Sequence, residues 1–413
     1  TTAVGAGLVA MPWVARAAHV GASASIRVGV IGCGGRGTGA AVNALQADPS
    51  TRIVAMADLF ADRLDGSRSR LRGIDEFSGR VDVPDERSFA GFDAYKQLLV
   101  LDEVDSVILA TPPHFRPIHF EAAVAAGKHV FMEKPVAVDP VGVRRVIAAS
   151  EKADEAGLCV VAGTQRRHET SYLSLMEQIR EGRLGDVVSA RCYWNQGGLW
   201  VHERRPEYSD MEWQCRNWLY FCWLSGDHIC EQHIHNLDVI NWVAGGPPAK
   251  ATGMGGRQVR TEAKYGNIFD HFAVEYEYPN GIYCLSMCRQ IDGCAGKVEE
   301  VVHGSRGTSV SRPGYAVIEG DSGWRFTGQN VNPYVQEHTN LYRAVTSGDR
   351  LNEGRRVAES TLTAIMGRMS AYTGKAVTWD QALNSSLDLS PAVYEFGELP
   401  VRPVPTPGKT ALS

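Results

Sequence analysis

The chain lacks several features that mark specialised classes of protein. Its 413 residues include only nine cysteines, and no two of them form a C-x-x-C pair. These counts argue against a disulfide-built scaffold, a zinc ribbon and a redox dithiol. The 42 basic and 47 acidic residues give a net charge of −5, which offers no attraction to nucleic acid or to an anionic membrane. The apolar share of 44% is that of a globular protein, and the length suggests two or three domains.

Residues 1–25 differ in composition from the rest of the chain. They carry one charge, Arg16, among small apolar residues, and glycine and proline interrupt them too often for a membrane span. This pattern is typical of the apolar part of an export signal, and Ala15-Arg16-Ala17 offers a cleavage site. Its weak hydrophobicity favours the twin-arginine route and a periplasmic location. The alternative is an N-terminal arm that packs on a partner subunit of a cytoplasmic protein.

The first motif with a chemical meaning follows a short β-branched strand, residues 26–31. It is the G-x-G-x-x-G run of residues 32–37, and a helix-like stretch and a second strand that ends at Asp58 come next. In this setting Gly32 allows the tight turn, Gly34 lets the backbone approach a pyrophosphate, and Gly37 lets helix and strand pack closely. A carboxylate at Asp58 accepts hydrogen bonds from a ribose and repels the extra phosphate of NADP, so we expect NAD.

Strands and helices keep alternating as far as residue 162, which predicts an α/β domain over 26–162 with a doubly wound parallel sheet. Ligands of such sheets lie beyond the carboxyl ends of the strands, where Thr111, Glu133 and Lys134 fall. The candidate cofactor-binding residues are Gly32, Gly34, Gly35, Arg36, Gly37, Asp58, Thr111, Pro112, His114, Glu133 and Lys134.

The periodicity changes after residue 163. Residues 270–278 alternate between apolar and polar, which is typical of a strand. Pro279-Asn280-Gly281 has the composition of a hairpin turn, and residues 282–289 form the returning strand of this hairpin. Such alternation predicts an antiparallel sheet with one buried face. We therefore expect a second domain over 163–413 that binds the substrate and forms the oligomer.

The run AGKHVFMEKP over residues 126–135, together with the glycine motif and ATPPH over 110–114, resembles the glucose–fructose oxidoreductase / inositol dehydrogenase / MocA (Gfo/Idh/MocA) family. Residues 226–238, GDHICEQHIHNLD, look like its second signature, with Glu231 where Asp is usual and His233 where Gly is common. The resemblance implies a Rossmann domain, a C-terminal α/β domain with an open, mostly antiparallel sheet, catalysis in the cleft between them, and homodimers or homotetramers formed through the sheet.

Oxidation of a secondary alcohol needs a base for the hydroxyl proton, and histidine suits that task near neutral pH. A helix predicted over residues 227–242 puts Glu231 and His235 on one face. We predict that His235 is the base, that Glu231 holds or tunes it, and that Lys134 stabilises the charge on the reacting oxygen. His228, Glu231 and His235 could instead share a metal ion, but the family usually needs none, and we expect no metal.

Five of the nine tryptophans lie between residues 193 and 223, interleaved with arginine and histidine. Such a stretch can line a sugar site, because sugar C–H faces pack on aromatic rings; it can equally build a core or a subunit interface. The candidate substrate-binding residues are Arg166, Trp200, Arg216, His228 and His235.

Together these features predict an NAD-dependent oxidoreductase that acts on a sugar, glycoside or polyol. One alternative is a redox glycosidase, in which tightly held NAD oxidises the sugar transiently, the aglycone is eliminated, water adds and the hydride returns. A protein that passes hydride between two sugars uses the same groups. A non-enzymatic sensor of NAD or sugar is a third possibility, which the presence of Lys134 and His235 disfavours.

Overall fold

The computed structural model describes residues 25–412 and begins with a six-stranded parallel sheet. Its strands are β1 (Arg27–Ile31), β2 (Arg52–Asp58), β3 (Ser88–Ala90), β4 (Ser106–Leu109), β5 (His129–Met132) and β6 (Val160–Ala162). They lie in the order β3-β2-β1-β4-β5-β6, with every neighbouring pair parallel. This is the predicted doubly wound sheet, and the order reverses between β1 and β4, where such sheets bind their ligands.

Five helices connect these strands: α1 (Gly35–Ala47), α2 (Ala61–Arg72), α3 (Ala94–Leu99), α4 (Arg116–Ala125) and α5 (Pro140–Glu155). Strands β4 and β5 are buried along their whole length, which is why they read as unbroken apolar runs. Asp139 caps the start of α5, because its side chain accepts a 2.7 Å hydrogen bond from the Gly142 backbone N–H.

The predicted export signal or arm over residues 1–25 lies, apart from Ser25, outside the described residues. Among residues 25–412, no helix has the length and apolar character needed to cross a bilayer.

The second sheet has nine strands in the order β14-β13-β12-β11-β7-β10-β9-β8-β15. They are β7 (Val187–Gln196), β8 (Lys250–Gly256), β9 (His271–Glu277), β10 (Tyr283–Gln290), β11 (Lys297–Gly304), β12 (Gly307–Arg312), β13 (Tyr315–Gly320), β14 (Trp324–Arg325) and β15 (Val377–Thr378). Among these described strands only β7 and β10 pair in parallel; the other pairs are antiparallel. The mostly antiparallel sheet predicted from the alternation is confirmed.

The helices of the second half are α6 (Thr170–Arg180), α7 (Asp210–Arg216), α8 (Cys222–Ser225), α9 (His228–Glu231), α10 (Ile234–Ala244), α11 (Pro333–Ser347), α12 (Gly354–Thr373) and α13 (Trp379–Leu383). Helices α10 and α12 pack against one face of the second sheet. The other face leaves Met254, Tyr283, Leu285 and Met287 exposed.

The single helix predicted over residues 227–242 is wrong in one respect, because the chain forms α9 and α10 with a break at Gln232 and His233. His233 is fully buried, and its Nε2 lies 2.7 Å from the Ser286 hydroxyl on β10. The ring is thus held against the sheet at the break, which separates Glu231 and His235 onto two helices.

Parts of the second half return to the first sheet. Helix α11 packs on α1, and its Leu341, Tyr342 and Val345 share one apolar core with Val28 and Val30 of β1. In the segment after α13, Leu389, Tyr394 and Phe396 also contact the first domain, at Asp139, His114 and Phe60.

Candidate active site

The turn between β1 and α1 is shaped by two glycines that no other residue could replace. Gly32 has a φ of +99°, and a Cβ atom there would lie 2.5 Å from the Thr111 backbone nitrogen. A Cβ atom on Gly37 would lie 1.8 Å from the Gly32 carbonyl oxygen. Helix α1 therefore starts tight against the sheet, with its first N–H groups directed at the space beyond β1. This is the cradle that a dinucleotide pyrophosphate requires.

Asp58, at the end of β2, is fixed by two backbone groups. Its carboxylate accepts hydrogen bonds from the backbone N–H of Cys33 at 2.6 Å and of Phe60 at 2.8 Å. Burial raises the pKa of Asp58, while these two N–H groups and the nearby Arg63 act in the opposite direction. The side chain still lines the cavity beyond the glycine turn, where its free lone pairs can meet a ribose.

A cavity of about 370 Å³ lies along the carboxyl ends of β1, β2 and β4. The first domain supplies its floor, including the predicted cofactor residues Gly32, Gly34, Gly35, Arg36, Asp58, Thr111 and Pro112. The second half of the chain supplies a wall made of Trp200, His202, Cys215 and Trp218. The cavity is thus enclosed by both halves of the molecule. It fits the adenosine and pyrophosphate parts of a dinucleotide, whose ribose and phosphates have partners here.

Arg36 and Glu133 extend this site towards β5. The Arg36 Nε donates to the Glu133 carboxylate at 2.5 Å, and the guanidinium lies over the Tyr334 ring of α11, 5.1 Å from its centroid. A Cβ atom at Gly163 would lie 2.5 Å from Glu133 Oε2, so only glycine leaves room for this carboxylate. Two of the predicted cofactor residues are therefore joined in one ion pair.

Lys134 connects the first domain to the second. Its ammonium donates to the Glu231 backbone carbonyl at 2.5 Å and lies 3.3 Å from Glu231 Oε1. Each of the two side chains is 10% exposed. Because the pair is largely shielded from water, the carboxylate fixes the ammonium more firmly than a surface pair would. Glu231 thus accepts hydrogen bonds from Lys134 through its backbone carbonyl and through its carboxylate.

His235 lies beside this pair as a neutral imidazole. Burial lowers the pKa of His235 well below its usual value, and the positive charges of Lys134 and Arg166 lower it further. Its ring stacks on Trp194 of β7, with centroids 5.6 Å apart. The buried Nδ1 has no hydrogen-bond partner among the described residues. A neutral, fixed imidazole next to an ammonium is an arrangement that can take a proton from an alcohol.

The other predicted substrate residues do not all meet at this point. Arg166 is buried behind His235, where it forms an ion pair with Glu300. Its guanidinium also lies over the Trp194 ring, 5.7 Å from the centroid. His228 is fully buried, and burial lowers its pKa well below the usual value.

Of the two others, Trp200 lines the dinucleotide cavity, and Arg216 lies beside it over the ring of the cavity residue Phe60. Trp200 forms part of the cavity wall and is 43% exposed. Arg216 bonds Asp62 of the first domain and Glu212 of its own helix.

His114, which was among the predicted cofactor-binding residues, packs between Phe115 and Trp223, and its Nε2 lies 2.8 Å from the Tyr394 hydroxyl.

Some residues of the site carried no individual signal in the sequence. Trp194 was grouped with the other tryptophans, although its place at the end of an alternating strand puts its ring against His235. Tyr334 lies nearly 300 positions beyond Arg36, and nothing local connects the two.

Among residues 25–412, no three acidic, histidine or cysteine side chains are grouped so that they could hold a metal ion.

Family models match both halves of the chain. One, described as "Oxidoreductase family, NAD-binding Rossmann fold", matches residues 26–162, and the other, "GFO/IDH/MocA C-terminal domain", matches residues 172–310.

Among curated proteins, the chain is 24% identical to inositol 2-dehydrogenase of Acidothermus cellulolyticus, over 91% of this chain and 97% of that protein. It is 30% identical to a glycosyl hydrolase family 109 protein of Streptomyces coelicolor, over 44% of this chain and 35% of that one. The first relatives in order of similarity are matched over less than half of their own length. Among solved structures, aldose-aldose oxidoreductase from Caulobacter crescentus superposes with a TM-score of 0.67 at 17% identity, covering 86% of this chain and 99% of that one, which shows the shared fold.

Proposed function

Because the chain belongs to the Gfo/Idh/MocA family of NAD(P)-binding oxidoreductases, we propose that it transfers hydride between NAD and a secondary alcohol of a sugar, glycoside or polyol. The observation that carries this proposal is the grouping of Lys134, Glu231 and His235 beside the carboxyl end of β5. A hydrogen-bonded ammonium and a neutral imidazole are the two groups that an alcohol needs in order to lose a hydride and a proton together.

Each residue has a separate task in this reaction. When bound, the nicotinamide supplies the hydride acceptor or donor. His235 takes the hydroxyl proton on oxidation and returns it on reduction. Lys134 donates a hydrogen bond to the reacting oxygen and stabilises its negative charge. Glu231 holds the ammonium of Lys134 in place through its backbone carbonyl and its carboxylate.

NAD is the proposed cofactor rather than NADP. The Asp58 carboxylate is held at the ribose position by the Cys33 and Phe60 backbone N–H groups, and it would lie against a ribose phosphate. Repulsion between two like charges in a partly buried site disfavours NADP.

A redox glycosidase is the second candidate. It uses the same three residues, and it needs a cofactor that stays on the protein through the whole cycle. The enclosure of the cavity by Trp200 and Trp218 supports such retention. The similarity to a protein of glycosyl hydrolase family 109 points in the same direction.

The deciding experiment follows the absorbance of reduced nicotinamide while purified protein meets a panel of sugars, polyols and glycosides, with and without free NAD. Steady formation of NADH that requires added NAD supports the dehydrogenase. Aglycone release with copurified cofactor and no net NADH supports the glycosidase. Bound cofactor with neither signal contradicts both and favours a sensor.

For assembly, we propose a homodimer or homotetramer formed through the open face of the second sheet. Four apolar side chains are exposed there on either side of β9: Met254 on β8, and Tyr283, Leu285 and Met287 on β10. Light scattering on Leu285→Lys tests this: a shift to monomer supports the interface, and an unchanged mass contradicts it.

For localisation, we propose export to the periplasm, on the composition of residues 1–25. Fractionation of cells that express the protein with residues 1–25 intact tests this, since recovery in the cytoplasm alone would contradict it.

A further inference from the structure

The ring of Phe60 is held from two sides by segments of the second half of the chain. Phe60 follows Asp58 by two residues, caps α2 and lines the dinucleotide cavity. The Phe396 ring stacks on it, with centroids 5.9 Å apart and planes 13° from parallel. The Arg216 guanidinium lies over the Phe60 ring as well, 3.9 Å from its centroid.

Both segments are anchored to the first domain by polar contacts. Arg216 bonds both carboxylate oxygens of Asp62 in the first turn of α2, at 3.1 and 3.2 Å. The Tyr394 hydroxyl lies 2.8 Å from His114 Nε2. The Phe396 ring also packs on Phe92, another cavity residue, with centroids 5.3 Å apart.

The two segments are also bonded to each other. The Met211 backbone N–H in α7 donates to the Gly397 carbonyl at 3.2 Å, and the Leu399 N–H donates to Asp210 at 3.1 Å. The Gln214 amide donates to the Leu399 carbonyl at 2.6 Å. Helix α7 and residues 394–399 therefore form one unit, which we call the clasp. The clasp meets the adenosine end of the cavity, and Cys215 of α7 is part of the cavity wall.

We propose that Arg216 and Phe396 are positioning residues of the dinucleotide site, which hold Phe60 against the adenosine end of the cofactor and slow its release. Neither residue needs to touch the cofactor, because both act through the Phe60 ring. A dinucleotide that leaves along this end of the cavity requires Phe60 to move, and Phe60 cannot move outwards while stacked on Phe396 and covered by Arg216. The inference rests on dinucleotide binding alone, so it stands or falls separately from the proposed sugar chemistry.

The test measures the dissociation rate of NADH from the full-length protein by stopped-flow fluorescence, with excess NAD as the competitor. We expect Phe396→Ala and Arg216→Ala each to raise this rate about tenfold, the effect of losing one aromatic or cation–aromatic contact. Phe396→Tyr and Arg216→Lys retain the contacts in part and should restore slow release. Val393→Ala is the matched control, since Val393 lies in the same tail and is 56% exposed.

A second measurement separates this role from general loss of stability. In a Phe60→Ala background, adding Arg216→Ala should leave the NADH dissociation rate unchanged, because the ring through which it acts is gone. Adding Phe396→Ala there should raise the rate much less than in the wild type, because Phe396 then keeps only its contact with Phe92. The proposal is overturned if either substitution speeds release equally with and without Phe60. It is also overturned if Phe396→Ala behaves like Val393→Ala.

Discussion

The ammonium of Lys134 donates to the backbone carbonyl of Glu231, 2.5 Å away, and so joins the end of β5 to the end of α9. This bond crosses between the two sheets of the molecule at the point where the proposed chemistry occurs. Any movement of one domain against the other must stretch it. The position of Lys134 therefore reports on whether the cleft is assembled.

Replacing the proposed base should remove activity without removing cofactor. His235→Asn is expected to lower kcat by about 10²- to 10⁴-fold, the usual contribution of a general base. The affinity for NADH, measured by fluorescence titration, should stay within about threefold, since His235 lies outside the dinucleotide cavity. His303→Asn is the control, because His303 lies on β11 in contact with Arg191 and away from the cavity. Full activity in His235→Asn would refute the assignment.

The pH dependence of kcat/KM should reflect the low pKa of His235. Because burial, Lys134 and Arg166 favour the neutral imidazole, the acidic fall in kcat/KM is expected well below pH 6.5. Initial rates across the acidic range, with stability checked at each pH, give the profile. An acidic limb at or above the ordinary histidine pKa would contradict the role of these charges.

His338 makes the free energy of unfolding depend on pH. It is fully buried against Phe131, and burial lowers its pKa to about 3. The unfolded chain binds this proton below the ordinary pKa of 6.5 and the folded protein does not, so stability is lost as pH falls from 6.5. His338→Phe removes the effect. The free energy of unfolding of wild type relative to the variant should fall by about 2 kcal/mol between pH 8 and pH 5. Urea titrations at the two pH values measure it, and an unchanged difference would refute it.

Asp227 keeps an unusual backbone conformation just before the site helices. Its φ is +71° and its ψ is 164°, a region that favours glycine, and its carboxylate accepts bonds from Phe269 N–H at 2.8 Å and the Tyr372 hydroxyl at 2.5 Å. Tyr372→Phe removes one partner of a buried carboxylate and should cost about 1–3 kcal/mol in urea denaturation. Val100→Ala, at a position that is 78% exposed, should change stability by less than about 0.5 kcal/mol. Equal effects of the two substitutions would contradict the inference that the Tyr372 hydroxyl stabilises the buried carboxylate of Asp227.

Asp58 is expected to control the choice between NAD and NADP. Asp58→Ser should raise kcat/KM for NADP relative to NAD by about 10²-fold, because it removes a charge that repels the ribose phosphate. Steady-state kinetics with each cofactor give this ratio. A ratio that does not change would show that the charge of Asp58 does not set the preference.

The folds of both sheets could be predicted from the sequence because the patterns that indicate them are local. The glycine turn, the end of β2 at Asp58 and the alternation in β9 and β10 each depend on residues within a few positions of one another. The bounds of α11 are also local, because Pro333 suits the first turn of a helix and Gly348 takes the left-handed conformation that ends it after Ser347. The break between α9 and α10 could not be predicted, because it depends on the contact of His233 with Ser286 across more than 50 residues.

The same limit applies to the site. The pairing of Lys134 with Glu231 joins residues 97 positions apart, and the signature runs indicated that both belong to the site but not that they touch. Arg216 was expected to face a sugar on the strength of its aromatic neighbours. Its actual partners, Asp62 and Phe60, belong to the other domain, and a one-dimensional pattern cannot reveal them.

The packing of Leu341, Tyr342 and Val345 on the first strand bears on the order in which the protein can mature. A ribosome makes β1 first, but that strand does not complete its apolar surroundings until more than 300 further residues have emerged. The nucleotide-binding half therefore cannot reach its final packing until α11 has been synthesised. Phe60, which lines the dinucleotide cavity, gains its stacking partner Phe396 later still. The nucleotide-binding domain thus depends for its packing on two separate segments that are made long after its own strands.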